Sequence, residues 1–210
     1  MITEISRYSS ELKKNFYFVR HAQSEANVLL TGGGDSNLTN LGIQQAKDAG
    51  IELRTCFNST RVLPKALIHT GFNRTIQTLQ EISGVLETNI KHDEMSEFRE
   101  RELGTYEGKG LNEILLAPEL KGLFEKFGQS CVWFLESKEQ GVEPLLTMFN
   151  RILGVIKSLQ VMYGDAPVVA VGHAGSMKVV RKIYEDGNSD NLANYLSGFV
   201  PKNCEVYKLG

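Results

Sequence analysis

An α/β fold with a mostly parallel central sheet is predicted by three features of the chain. Phe16-Tyr17-Phe18-Val19 and Val168-Val169-Ala170-Val171 are short aromatic or β-branched runs, the composition of strands buried on both faces. Strand-like runs then alternate with segments of helical period, a pattern that belongs to helices layered on a parallel sheet. Both runs also turn polar where the strand should end, the first into Arg20-His21 and the second into Gly172-His173. Ligands of open α/β sheets bind beyond the carboxyl ends of the strands. A single histidine there is ordinarily a satisfied structural residue, but two strands each delivering one point to chemistry.

Composition narrows the partners. The chain has 210 residues, 41% hydrophobic and 23% charged, which suits one sizeable core. A formal net charge of -2 supplies no basic field, so nucleic acid is not an expected partner and any anion must be held by a local cluster. Cys56, Cys131 and Cys204 are odd in number, widely spaced and outside any metal-ligand spacing. They read as incidental thiols in a reduced, cytoplasmic setting. No apolar run approaches membrane-spanning length, and the N-terminus lacks the apolar stretch of a signal peptide, so no membrane partner is expected.

The elements follow in order. Residues 1–14 are mixed polar sequence, a surface helix or an arm. After the first strand, Gly32-Gly33-Gly34 predicts a flexible loop. Thr39 or Asn40 caps a helix running to about Cys56. Lys65 to Thr70 is the next strand, with His69 read as structural, and Gly71 onwards opens a second helix. Arg74 falls in its first turn, where the helix dipole disfavours a cation unless an anion lies nearby. The charged run from Glu97 to Glu107 is, taken alone, a solvated face. Residues 111–140 should be helix and loop; Phe124, Phe127, Trp133 and Phe134 there either line an apolar wall or pack the core. Pro144 suits the first turn of a helix that reaches Met162 with Leu145, Met148, Ile152, Val155, Ile156 and Leu159 on one face. A helix from Ser176 to Glu185, a short one from Asp190 to Leu196 and a strand from Asn203 to Leu209 complete the chain. With no repeat or linker, residues 1–210 are expected to form one domain.

Arg20-His21-Ala22-Gln23-Ser24 with Asn27, and Gly172-His173-Ala174-Gly175 late in the chain, resemble the paired motifs of the histidine phosphatase superfamily, the phosphoglycerate mutase-like family. The resemblance spans about Phe16 to Cys204 and implies a three-layer phosphoglycerate mutase-like sandwich, with a variable cap at about residues 105–142. It makes His21 a nucleophile that forms a phosphohistidine, with its second ring nitrogen donating to a backbone carbonyl or similar acceptor. Arg20, Arg74, His173 and Asn27 would surround the phosphate, Gln23 and Ser24 would add contacts, and Thr31 and Gly32 would lie in a substrate loop. The run after Glu97 resembles the family's Glu-Arg signature, aligning Glu100 with the acid and Arg101 with a pocket-rim arginine; by spacing alone Glu97 and Glu102 compete with Glu100. An acid beside a phosphate dianion should have a raised pKa, as a proton donor requires. Gly42, Gln45 and Ala46 match a helix-packing motif, and Gly141-Val142-Glu143-Pro144 a helix-start motif.

The resemblance implies two-step hydrolysis of a phosphomonoester with neither metal nor cofactor, acting on a small molecule or a phosphoprotein. Mutases of the family need further cations, yet no arginine lies between Arg101 and Arg151. Leu103 and Gly175 stand where mutases carry a tyrosine and an asparagine. Phosphatase is therefore expected over phosphoglycerate mutase. A non-catalytic phosphate-binding protein would have lost part of the His/Arg set, and Arg20, His21, Arg74, Glu100 and His173 are all present.

Overall fold

The structure is a computed structural model that describes residues 12–29, 34–136 and 138–210. Thr31, Gly32 and most of the N-terminal arm lie outside the described residues. A five-stranded sheet is built from β1 (Phe16–Arg20), β2 (Ala66–His69), β3 (His92–Glu94), β4 (Val168–Gly172) and β5 (Val206–Leu209), in the order β3-β2-β4-β1-β5. Only β5 is antiparallel. The helices are α1 (Glu25–Leu29), α2 (Asn40–Thr60), α3 (Asn73–Leu86), α4 (Leu111–Ile114), α5 (Leu123–Phe127), α6 (Leu145–Tyr163), α7 (Ala174–Glu185) and α8 (Leu192–Ser197). The expected mostly parallel α/β architecture is present. β3 adds a strand with no signal in the sequence, since its His92-Asp93-Glu94 carries no apolar alternation; as an edge strand it needs none.

The strands sort their side chains by parity, as a pleated strand must. Phe16, Phe18, Ile68, Val168 and Ala170 face α6, α7 and α8, whereas Tyr17, Val19, Leu67, Val169 and Val171 face α2 and α3. The sheet is thus apolar on both faces, which explains the unbroken apolar runs in the sequence. Thr39 caps α2 by accepting from Gly42 N–H. Gly42 itself admits no side chain, because a Cβ there would sit 2.1 Å from the Gln23 carbonyl oxygen. α6 corrects one expectation: its 19 residues, of mean hydropathy 1.2, are long and apolar enough to cross a membrane by length and composition. Its face of Leu145, Met148, Phe149, Ile152, Ile156 and Leu159 is instead buried in the core.

Residues 103–136 and 138–142 form short helical turns around a separate cluster of Ile114, Ala117, Leu120, Cys131, Leu135 and Val142. This segment approaches the end of β4 through Trp133, which lies beside Gly175. β1 and β4 are neighbours, paired from Phe16↔Val168 to Arg20↔Gly172. That register brings the two motifs together.

Candidate active site

His21 and His173 leave adjacent strand ends, and His21 N–H donates to Gly172 O at 2.9 Å. Their rings meet edge to face with centroids 5.3 Å apart. Both are buried, 5% and 1% exposed. His21 Nδ1 lies 2.7 Å from Ala22 O. A carbonyl only accepts, so Nδ1 carries the proton and Nε2 keeps its lone pair. Burial, with Arg74 and Arg20 adding to it against the Ala22 bond, lowers the His21 pKa to about 3. The ring is neutral throughout the physiological range.

His173 has a different environment. Arg74 Nη2 is 3.3 Å from its Nδ1, which must therefore accept. Nε2 then bears hydrogen and donates to Thr70 Oγ1 at 2.9 Å. The chain continues from Thr70 to Thr75 Oγ1 at 3.1 Å and from Thr75 to Phe72 O at 2.8 Å. Burial pushes the His173 pKa well below its usual value, and His21, Arg74, Arg20 and Arg151 push the same way. The backbone N–H of His173 donates to Ser176 Oγ in the first turn of α7.

The two arginines come from different elements. Arg74, 6% exposed in the first turn of α3, donates to Gly34 O at 2.6 Å and lies 4.6 Å from the Phe72 ring centroid. Phe72 also meets His173 edge-on at 5.4 Å and carries Arg99 at 5.3 Å, so one ring supports three members of the cleft. Asp35 satisfies the helix start by accepting from Asn73 N–H at 2.8 Å, a carboxylate at the positive end of the dipole. Arg20 donates through Nη1 to Pro201 O at 2.5 Å, while its buried Nε has no partner. An orphan buried donor of this kind suits an incoming oxygen. Burial lowers the pKa of both arginines and Glu100 opposes it. A guanidinium stays charged under such shifts.

Glu100 is held at the opposite wall by Gly175 N–H, 2.7 Å from Oε2, and by Arg101 N–H, 3.0 Å from Oε1. The missing side chain of Gly175 makes this contact possible: a Cβ would come within 1.9 Å of Glu100 Oε1 and 2.5 Å of Trp133, so both would have to shift. Of the competing carboxylates, both exposed, Glu97 lines a different cleft beside α6, of about 630 Å³, whereas Glu102 borders both that cleft and the cavity that holds Glu100. Behind Trp133, the buried Lys178 donates to Leu196 O at 2.5 Å, and its ammonium lies 5.0 Å from the Trp133 ring. Burial lowers its pKa to about 8 against the pull of Glu100.

Three of the expected contacts also bond within the protein. Gln23 Oε1 accepts from Thr39 Oγ1 at 2.8 Å, and the buried Ser24 donates to Asn27 Oδ1 at 3.3 Å. Arg101 turns beneath the cap and donates to Glu143 O at 2.8 Å and Leu135 O at 2.6 Å. Those bonds engage the Gln23 amide oxygen, the Ser24 hydroxyl and the Arg101 guanidinium, and Arg101 also borders the cavity. Asn27 stays in the cluster: its Oδ1 accepts from Ser24 N–H and Asn203 Nδ2, which leaves the amide nitrogen facing away from those bonds. Asn203, which no motif in the sequence singles out, also donates to His21 O at 3.0 Å. Thr70 is visible in the sequence only as the residue four before Arg74. Of the cap aromatics, Phe127 and Phe134 stack on each other at 4.4 Å, Phe124 is 49% exposed, and Trp133 alone of the four closes on Glu100 and Gly175.

A cavity of about 450 Å³ opens between Gly34, Phe72, Arg74, Arg99, Glu100 and Leu103. Arg101, Glu102, Gly104 and Glu107 line it too, and behind its wall His173 lies against Arg74 and Phe72, with His21 beyond. Among the described residues no group of three or more His, Cys, Asp or Glu is arranged to hold a metal ion. The arrangement suits a compact dianion at one end and a small neutral or polar body at the other.

A sequence model of the histidine phosphatase superfamily (branch 1) matches residues 16–210. The chain is 38% identical over 183 residues to "Putative phosphoserine phosphatase 2" of Hydrogenobacter thermophilus, a match covering 86% of this chain and 83% of that protein. Among solved structures, a mycobacterial glucosyl-3-phosphoglycerate phosphatase in complex with VO3 has a TM-score of 0.71 at 20% identity, covering 93% of this chain and 90% of that one. A phosphoglycerate mutase from Bacillus anthracis str. Sterne has a TM-score of 0.72 at 16% identity, covering 95% and 88%. At such identities these two structures establish the fold alone.

Proposed function

The chain belongs to the histidine phosphatase superfamily and is a phosphatase of it, and from that premise we propose that it hydrolyses small phosphomonoesters in two steps through a phosphohistidine on His21. The observation that carries this reading is the Nδ1 bond of His21 to Ala22 O, which leaves Nε2 unprotonated on a buried ring beside His173, within the field of Arg74 and Arg20. Nε2 attacks phosphorus, the bond to the ester oxygen breaks, and Glu100 gives the leaving alkoxide its proton. Water then attacks the phosphohistidine, Glu100 takes a proton from it, and phosphate leaves with His21 restored. Arg20, through its orphan Nε, and Arg74 hold the equatorial oxygens, and Asn27 Nδ2 adds a neutral donor. A phosphoryl oxygen offers Arg74 a better partner than His173 Nδ1, so substrate binding would draw that guanidinium forward. Charge spread over the transferring group is met by donors already fixed in place, and such preorganisation supplies most of the acceleration in phosphoryl transfer.

We take residues 1–210 as one catalytic domain in which the cap at about 105–142 covers the leaving group. The cavity favours a small alcohol body, and the name of the Hydrogenobacter thermophilus relative makes phosphoserine the first compound to try. The free thiols Cys56, Cys131 and Cys204 support a reduced, cytoplasmic setting. The interval from Arg101 to Arg151 without arginine supports hydrolysis over mutase chemistry.

The test is a panel of phosphomonoesters that includes p-nitrophenyl phosphate, phosphoserine and 3-phosphoglycerate with bisphosphoglycerate, each with and without chelator. Phosphate release that resists chelation, with labelled phosphate trapped on His21 after acid-free quenching, is the expected result. Interconversion of phosphoglycerates, or turnover without a labelled histidine, would overturn it.

A further inference from the structure

The loop that carries Glu100 has little regular structure of its own, only a 3-10 turn at Ser96–Phe98. What holds it is one arginine from α6. Arg151 Nη1 donates to Glu97 O and to Arg99 O, the latter at 3.0 Å, and Nη2 donates to Glu100 O at 3.1 Å. The remaining donors meet the Glu143 carboxylate, Nε at 2.7 Å and Nη2 at 2.9 Å. A guanidinium has five N–H groups, and here each faces an acceptor. Glu143 in turn fixes the far end of the loop: its Oε2 accepts from Glu102 N–H at 3.3 Å, and its backbone N–H donates to Glu102 O at 2.9 Å. The pair is 20% and 9% exposed, so water competes weakly for it. Loop residues 97–102 are therefore gripped at both ends by one ion pair, with the Glu100 carboxylate between the grips.

We propose that Arg151, locked by Glu143, is a positioning residue that sets where the Glu100 carboxyl group meets the leaving oxygen. The inference rests on the reading of Glu100 as the proton donor. Arg151 reaches no ligand itself, because all its donors are used, and it acts only through the backbone of the acid loop. Proton transfer demands heavy-atom separations of hydrogen-bond length, so a loop released by even an ångström loses much of what the acid contributes. Lysine cannot replace it: a single ammonium offers three donors from one point and cannot span several loop carbonyls while holding a carboxylate.

The clamp and the acid are separated by comparing Arg151→Met, Arg151→Lys and Glu143→Gln with Glu100→Gln in the full chain. Single-turnover release of alcohol is followed for p-nitrophenyl phosphate, whose leaving group needs no proton, and for the best alkyl phosphate of the panel, whose leaving group does. Glu100→Gln should slow the alkyl ester about 100-fold or more and the nitrophenyl ester far less. Arg151→Met should reproduce that selectivity at about 10- to 100-fold, with KM nearly unchanged, since positioning is partly lost but the carboxyl remains. Arg151→Lys should recover part of the loss, and Glu143→Gln should show the same selectivity at about 3- to 10-fold. Equal slowing of both esters by the Arg151 variants, or a lowered melting temperature with unchanged selectivity, would overturn the inference. If Glu100→Gln itself shows no selectivity, the acid assignment fails instead, and the two failures are distinguishable. The Lys and Gln variants keep volume and polarity, so they decide the matter if the Met variant folds poorly.

Discussion

The two histidines stand at equivalent points of neighbouring parallel strands, both buried and both neutral, yet their hydrogen bonds differ. His21 has one nitrogen tied to a carbonyl and one left with a lone pair. His173 has both nitrogens engaged, one accepting from Arg74 and one donating to Thr70. Placement at the sheet end brings both rings to the ligand, but the partner of each ring nitrogen decides which ring attacks and which braces. The same topology supplies two roles because the adjoining loops differ: Ala22 offers a carbonyl after β1, whereas α7 begins directly after His173 and Thr70 reaches it from β2's end.

This asymmetry is open to direct attack. His21→Ala removes the attacking atom and should cut phosphate release by about 10^4-fold or more, with no labelled histidine left on acid-free quenching. His173→Ala should cost less, on the order of 10^2- to 10^3-fold, and retain labelling of His21, because a stabilising donor is lost but the nucleophile survives. Equal losses would mean that the two rings share a function. A finer probe is Thr70→Val, which keeps shape and removes the hydroxyl that holds His173 Nε2–H. An unsatisfied buried donor costs about 1–3 kcal/mol, so the melting temperature should drop by several degrees, with kcat falling about 3- to 10-fold. Unchanged kcat would show that Thr70 does not orient the ring.

Unlike these losses of activity, a further effect lies in the dependence of stability on pH. Both folded-state pKa values are depressed, that of His21 from 6.5 to about 3 and that of His173 in the same direction. Below pH 6.5 the unfolded chain therefore binds protons that the folded one refuses. Stability present above that pH should decline as pH falls, with the His21 part lost progressively down to about 3. Thermal unfolding followed between those limits should show a shallower decline in His21→Ala than in wild type; parallel curves would contradict the buried neutral ring.

Much of this geometry was legible in the chain. Apolar strands that end in His21 and His173 declare themselves because the change from apolar to polar is abrupt. Arg74 was visible as a cation where a helix start disfavours one. Other features have no local signature. Asn203 enters the site because β5 returns antiparallel beside β1, a pairing that neither neighbourhood encodes alone. Arg151 and Arg101 spend most of their donors on backbone carbonyls, and a carbonyl belongs to every residue type, so no sequence pattern marks the partner. Arg101 borders the cavity while its guanidinium turns to those carbonyls.

Gly175 carries a consequence for how such a chain can change. Its missing side chain leaves the room that Glu100 and Trp133 occupy. A change to asparagine, the residue that mutases place there, would drive into the acid loop and the cap together before any new contact could reward it. The order of steps is therefore constrained: the cap tryptophan and the grip on the acid loop would have to relax first, at a loss of the original activity. A descendant that gained mutase chemistry would have to cross that valley, and the absence of one methyl group would thus help keep the lineage a hydrolase.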